Sequence, residues 1–161
     1  MAEGRLKIVV FGSFNAGKSS FIQALDPGSR HIEATSKEGA TTVAFDFGRL
    51  QVRGRAVYLF GTPGQERFEF VREILARGMD GAIIVVDATR GVDAMTRHIY
   101  DRLKELEVPL AFMANKCDCP GAAPGTISRD LPGEMVHPIS ARNGENVYAA
   151  LDAFVATLVA R

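Results

Sequence analysis

Leu6-Lys7-Ile8-Val9-Val10-Phe11-Gly12-Ser13-Phe14-Asn15-Ala16-Gly17-Lys18-Ser19 is the stretch on which the fold turns. Its first six residues form a near-continuous apolar run, the pattern of a parallel strand covered on both faces. Gly12 to Ser19 then match G-x-x-x-x-G-K-[ST], and Lys18 to Leu25 reads as a helix that stops near Asp26-Pro27-Gly28. The glycines let the backbone wrap until successive N–H groups point inward at phosphate oxygens, and the following helix adds the positive end of its dipole. The candidate phosphate-binding residues are therefore Asn15, Ala16, Gly17, Lys18, Ser19 and Ser20. Lys18 is placed to reach the β- and γ-phosphates, and the Ser19 hydroxyl to ligate magnesium.

Outward from that stretch, the chain alternates between strand and helix. Residues 26–41 are polar and aperiodic and are expected to be loop. Thr42 to Leu50 and Arg55 to Phe60 read as strands joined tightly around Val52-Arg53-Gly54. Gly61 to Gly64 is a turn, and Glu66 to Arg77 looks helical. Gly81 to Asp87, Leu110 to Asn115 and Val136 to Ser140 read as further strands, with helices at Thr96 to Glu107 and Glu145 to Val159. Such alternation implies a parallel sheet with right-handed crossovers and helices on both faces. No repeat, low-complexity tract or linker interrupts it, so residues 1–161 are expected to form one domain. Three Pro-Gly dipeptides between Pro120 and Gly133 mark that stretch as mostly loop.

The 161 residues carry 19 basic and 19 acidic side chains, a formal net charge of zero. A neutral chain lacks the overall field that draws proteins onto nucleic acid or anionic lipid, so no nucleic-acid partner is expected and any partner surface is local. Ala2 stands where myristoylation needs glycine, the end Leu158-Val159-Ala160-Arg161 has no prenylatable cysteine, and no signal-peptide core or membrane-span-length run occurs. The expectation is a cytoplasmic protein without a direct lipid anchor. Cys117 and Cys119 are too close for an unstrained disulfide, and a metal site on Cys-x-Cys would need two more ligands where only His137 is near.

The base is addressed by Asn115-Lys116-Cys117-Asp118, at the end of an expected strand. A carboxylate at Asp118 accepts from both the ring N–H and the exocyclic amine of guanine, whereas adenine offers no such pair of donors. Ser140-Ala141-Arg142 ends the next strand, where a backbone N–H can reach the guanine carbonyl.

These motifs, together with Gly64-Gln65-Glu66, resemble those of the Ras-like small GTPases in order and approximate spacing across nearly the whole chain. The resemblance implies an α/β fold of the P-loop NTPase type: a mostly parallel sheet of about six strands with one antiparallel edge strand. It also implies that the fourth helix is shortened or missing, since the Pro/Gly-rich stretch leaves room for a turn or two. By position, Thr42 is the threonine that joins magnesium when the γ-phosphate is present, with Thr41 the competing choice. Gly64 places its N–H on the γ-phosphate, and Gln65 is the catalytic residue that orients the attacking water. Arg67 as a charge stabiliser in cis is the weaker alternative to a surface arginine.

Three departures stand out. The family usually has Asp-x-x-Gly-Gln, but this chain has Gly61-Thr62-Pro63-Gly64-Gln65, as in a group of prokaryotic, MglA-like relatives. Magnesium is then expected to depend on the phosphates, Ser19, Thr42 and water, and to be held less tightly. Phe14 fills a position that is commonly small, where the ring either crowds an arginine supplied by a partner or covers the switch loops; the two are compatible. The third departure is the Pro/Gly-rich stretch itself.

The resemblance implies a GTP/GDP switch with slow intrinsic hydrolysis of GTP to GDP and phosphate, using magnesium. Protein partners (an activating protein, an exchange factor, an effector) would read the switch loops. Phe45, Phe47, Phe68 and Phe70 are candidates for that contact or, more simply, core residues. The rival readings are a pseudo-GTPase that holds guanine nucleotide as a structural element, favoured by Gly61 and Phe14, and a P-loop kinase or ATPase, opposed by Asn115 to Asp118.

Overall fold

In the computed structural model, residues 4–13, 15–35, 42–62 and 78–160 are described, with backbone alone at 33–35 and 42–44. The elements are β1 (Arg5–Gly12), α1 (Lys18–Leu25), β2 (Arg30–Thr35), β3 (Thr42–Val52), β4 (Arg55–Gly61), β5 (Gly81–Asp87), α2 (Ala94–Glu105), β6 (Leu110–Asn115), α3 (Pro124–Asp130), β7 (Val136–Pro138) and α4 (Val147–Val159). The helix expected over Glu66 to Arg77 lies outside the described residues.

The strands form one sheet in the order β2-β3-β4-β1-β5-β6-β7. β1 pairs in parallel with β4 and β5, β5 with β6, and β6 with β7. The α/β class with a mostly parallel sheet is thus as the sequence implied. Among the described residues the sheet has seven strands where about six were expected, and the antiparallel strand β3 is interior, because β2 pairs antiparallel beyond it. Residues 30–35 were expected as loop; they are strand because β3 presents an unpaired edge whose N–H and C=O groups need partners. Ile32 packs partly against the core as well, a tertiary gain that local propensity does not register.

β1 shows why the apolar run from Ile8 to Phe11 is unbroken. Ile8 and Val10 face a core completed by Phe21 and Ile22 of α1 and Leu151, Phe154 and Val155 of α4. Val9 and Phe11 face a second core completed by Ile99 and Leu103 of α2 and Ile127 of α3. All four β1 side chains are fully buried, and each such burial is worth roughly 1.5–3 kcal/mol. A strand with a helix layer on each face has no polar side to show.

β3 and β4 are joined at Val52↔Arg55 by Arg53 and Gly54, with φ 53° and 76°. Positive φ at both central residues is the geometry that matches a hairpin to strand twist. Arg53 then clasps Asp152 of α4 through two N–H···O contacts of 2.9 and 3.2 Å. α3 has seven residues, Pro124 at its start, and is the short helix that the Pro/Gly-rich stretch allowed. Among the described residues no helix is long and apolar enough to cross a membrane.

Candidate functional site

The ends of β1, β4, β5, β6 and β7 open on one rim of the sheet, where ligands of open α/β sheets lodge. β1 ends at Gly12, which lies so close to β5 that a Cβ there would fall 2.7 Å from the Val85 carbonyl oxygen. The chain then turns, with the Ala16 N–H donating to the Ser13 carbonyl at 3.0 Å. Gly17, at φ 106° and without a side-chain cap, opens α1. The first N–H groups of the helix have no intrahelical acceptor and carry the positive end of its dipole.

Lys18 folds back over this turn, its Nζ donating to the carbonyls of Gly12 at 3.0 Å and Ser13 at 3.4 Å. Burial draws its pKa down to about 8, with the Asp46 carboxylate pulling the other way. The Ser19 hydroxyl donates to Asp46 Oδ2. Ser13 Oγ lies 2.8 Å from both oxygens of Asp93, whose Oδ1 also accepts from the Thr96 N–H at the start of α2. Burial alone would raise the Asp93 carboxyl; the bonds from Thr96 and Ser13 hold it below the usual range.

The second half of the site hangs on Asn115, the last residue of β6 and only 3% exposed. Its Nδ2 donates to the Ala16 carbonyl and its Oδ1 accepts from the Ala141 N–H, each at 2.9 Å. One carboxamide thereby joins the phosphate-side turn to the segment after β7. Lys116 Nζ lies 3.0 Å from Asp87 Oδ2, and Asp87 Oδ1 accepts from the N–H and hydroxyl of Thr89. Burial works against the Asp87 carboxylate, while Thr89 and Lys116 hold its pKa below the ordinary value. Asp118 Oδ1 accepts from the buried Ser140 hydroxyl at 2.9 Å.

These groups line a cleft of about 700 Å³ that runs from Gly17 and Ser20 to Asn115, Lys116, Asp118, Ala141 and Arg142. Its volume suits a nucleoside-sized ligand. Asn15, Ala16 and Lys116 border a smaller adjoining cleft of about 210 Å³. Thr42 is the first residue of β3, with backbone opposite Thr35; Phe14, Thr41, Gly64, Gln65, Arg67, Phe68 and Phe70 lie outside the described residues. Phe45 is a core residue at 7% exposure, and Phe47 lies partly open with its ring against those of Tyr58 and Phe60.

Sequence reasoning missed Asp46, Asp87 and Asp93. Asp87 carried a usable signal, since parallel strands of matched length end together and the register sets it beside Asn115. Gln23, Ala24 and Cys119 of the larger cleft carried none.

A glycine-rich loop between β1 and α1, joined through Asn115 to a base-sized cleft, defines a P-loop protein of the G-domain class. Residues 3–160 match the elongation factor Tu GTP binding domain family, and the chain belongs to it. An uncharacterized protein of Methanocaldococcus jannaschii is 35% identical over 118 residues, 73% of this chain and 74% of that one. Translation initiation factor IF-2 of Alkaliphilus oremlandii is 31% identical over 157 residues, 90% of this chain but 21% of the factor, so the chain spans about a fifth of it. The fold is also that of the G domain of the T. maritima FeoB iron transporter, with TM-score 0.72, 22% identity and coverage of 96% and 99%. Arl6, a small GTPase from Trypanosoma brucei solved with a bound nucleotide analogue, matches with TM-score 0.70, 21% identity and coverage of 97% and 98%. The fold is thus shared with Ras-like small GTPases, as the motifs implied.

Proposed function

We propose that this chain binds GTP and GDP with magnesium and works as a nucleotide-dependent switch that hydrolyses GTP slowly unless a partner assists. The observation that carries the reading is Asn115 bridging Ala16 and Ala141, because it ties the glycine-lysine turn to the segment after β7, where the Ser140 hydroxyl holds Asp118, the carboxylate that would read guanine. A lysine held at a lowered pKa among carbonyls is a cation that an anionic phosphate would welcome.

Ser19 and Thr42 are the residues that would hold magnesium, and oxygen donors such as these suit a hard cation. When bound, the ion would supply positive charge against the negative charge that develops on the phosphates in phosphoryl transfer. Asn15 to Ser20 hold the phosphates, Asp118 takes the guanine edge, and Arg142, next to the Ala141 that Asn115 anchors, offers its backbone N–H to the guanine carbonyl. Gln65 orients the attacking water, and Gly64 reports the γ-phosphate to the switch segments. Protein partners that read those segments carry the downstream role.

The test is a titration of fluorescent GDP and GTP with and without magnesium, followed by single-turnover hydrolysis. Tight guanine binding with slow GTP turnover supports the reading; preference for ATP overturns it. Gly61, which brings no carboxylate to the end of β4, favours a pseudo-GTPase instead. That second reading requires that bound GTP persist uncleaved.

A further inference from the structure

The family aspartate missing at Gly61 has a neighbour across the sheet. β3 and β4 are antiparallel, and their register sets Asp46 directly opposite Gly61. Residues directly opposite in such a pair project to the same face with their Cβ atoms close together. Here the relation is tight: a Cβ placed on Gly61 would lie 3.5 Å from the Asp46 Cβ. It would also lie 2.7 Å from Ile22 Cδ1, so α1 occupies the room that a side chain from β4 would use.

The Asp46 carboxylate is aimed at the phosphate-binding turn. Its Oδ2 accepts from the hydroxyl of Ser19, the residue with the magnesium-ligand position in the motif. Its charge is also felt by Lys18. Oδ1 lies 2.9 Å from Nδ1 of His31, which stands opposite Asp46 on β2. His31, Asp46 and Gly61 thus form one row across three strands, on the face that carries α1. The carboxylate in this row comes from the middle strand instead of from β4.

We propose that Asp46 takes over the role of the absent aspartate, accepting hydrogen bonds from the hydration shell of magnesium beside Ser19. The assignment rests on the guanine-nucleotide reading above and deepens it. It also removes the reason for expecting loosely held magnesium, because the carboxylate has moved one strand over and has not been lost. Magnesium keeps several waters in protein sites, so a carboxylate that binds through water suits the ion.

The experiment measures release of fluorescent GDP with saturating magnesium and in chelator, and takes the ratio of the two rates. A general loosening of the pocket cancels in that ratio. In the parent the ratio is expected to be large. In Asp46→Asn, nearly the same size but without the charge, it is expected to collapse by about 10–100-fold, as for other outer-shell partners of metals. The triple variant Asp46→Asn/Gly61→Asp/Ile22→Val returns a carboxylate to β4 and removes the obstructing Cδ1, and it is expected to recover much of the ratio. A parent ratio that Asp46→Asn retains overturns the assignment of Asp46 alone. A parent that binds no GDP overturns the guanine-nucleotide reading, and the assignment falls with it.

Discussion

Gly17 and Asn115 stand so close that a Cβ on Gly17 would lie 2.2 Å from Nδ2 of Asn115. The contact explains a glycine that backbone conformation alone, at φ 106°, already favours. Gly17→Ala is expected to cost roughly 1–3 kcal/mol of stability through strain and displacement of Asn115. GDP affinity should fall with it. Denaturant unfolding and a GDP titration check both; an alanine variant that matches the parent in each would show that the turn and β6 move apart freely.

Asn115→Ala tests the bridge from the other side. It strips the buried Ala16 carbonyl and Ala141 N–H of their partner, and each unsatisfied group costs about 1–3 kcal/mol. Hydrogen exchange at the Ala141 amide should accelerate, and GDP should bind at least tenfold more weakly, which corresponds to about 1.4 kcal/mol. An Ala141 amide as protected as in the parent would mean that water or a neighbour replaces the carboxamide.

The base preference is expected to follow Asp118. In Asp118→Asn the amide donates where the carboxylate accepted, so xanthine nucleotides should gain over guanine ones. Competition of GDP against xanthosine diphosphate for the labelled nucleotide reads this out. GDP preference equal to the parent's would remove Asp118 from the base site.

Hydrolysis is expected to run through Gln65. Gln65→Leu should abolish single-turnover cleavage of GTP, intrinsic or partner-stimulated, with binding intact. Phe14→Gly should raise the intrinsic rate if the ring obstructs the γ-phosphate side. An arginine finger is worth about 10³–10⁵ in rate, so a partner that Phe14 excludes from that route must reposition Gln65 instead. Gln65→Leu turning over as fast as the parent favours the pseudo-GTPase or another water-positioning residue.

His137 predicts a pH dependence of stability. Its Nε2 is buried with no hydrogen-bond partner among the described residues, and burial lowers its pKa from 6.5. Below pH 6.5 the unfolded chain takes up a proton that the folded imidazole resists, so stability falls as pH drops through that region. His137→Phe removes the proton uptake. The variant should gain on the parent in urea unfolding between pH 7 and pH 5; a constant difference over that range would indicate that His137 protonates in place.

The Lys18 to Leu25 helix and the β5 and β6 strands were legible to the residue, because an apolar run or a glycine-lysine turn states its environment locally. The grouping of Asn115, Lys116 and Asp118 on one cleft was legible for the same reason, since the three are near in sequence. β2 was not, because residues 30–35 are strand only by virtue of what β3 offers across the gap. Phe45 and Phe47 looked alike as alternating aromatics, and only packing separated a buried ring from a partly open one.

The sequence by itself determined the strand-loop-helix turn and the placing of Asn115 to Asp118 at a strand end, both through short-range chemistry. Where Asp46 stands was decided only by the tertiary structure. Fifteen positions separate it from Gly61 in the chain, and antiparallel pairing sets the two face to face. A missing side chain can be replaced by any group that folding brings to the same place, and a linear motif records only the position that was vacated.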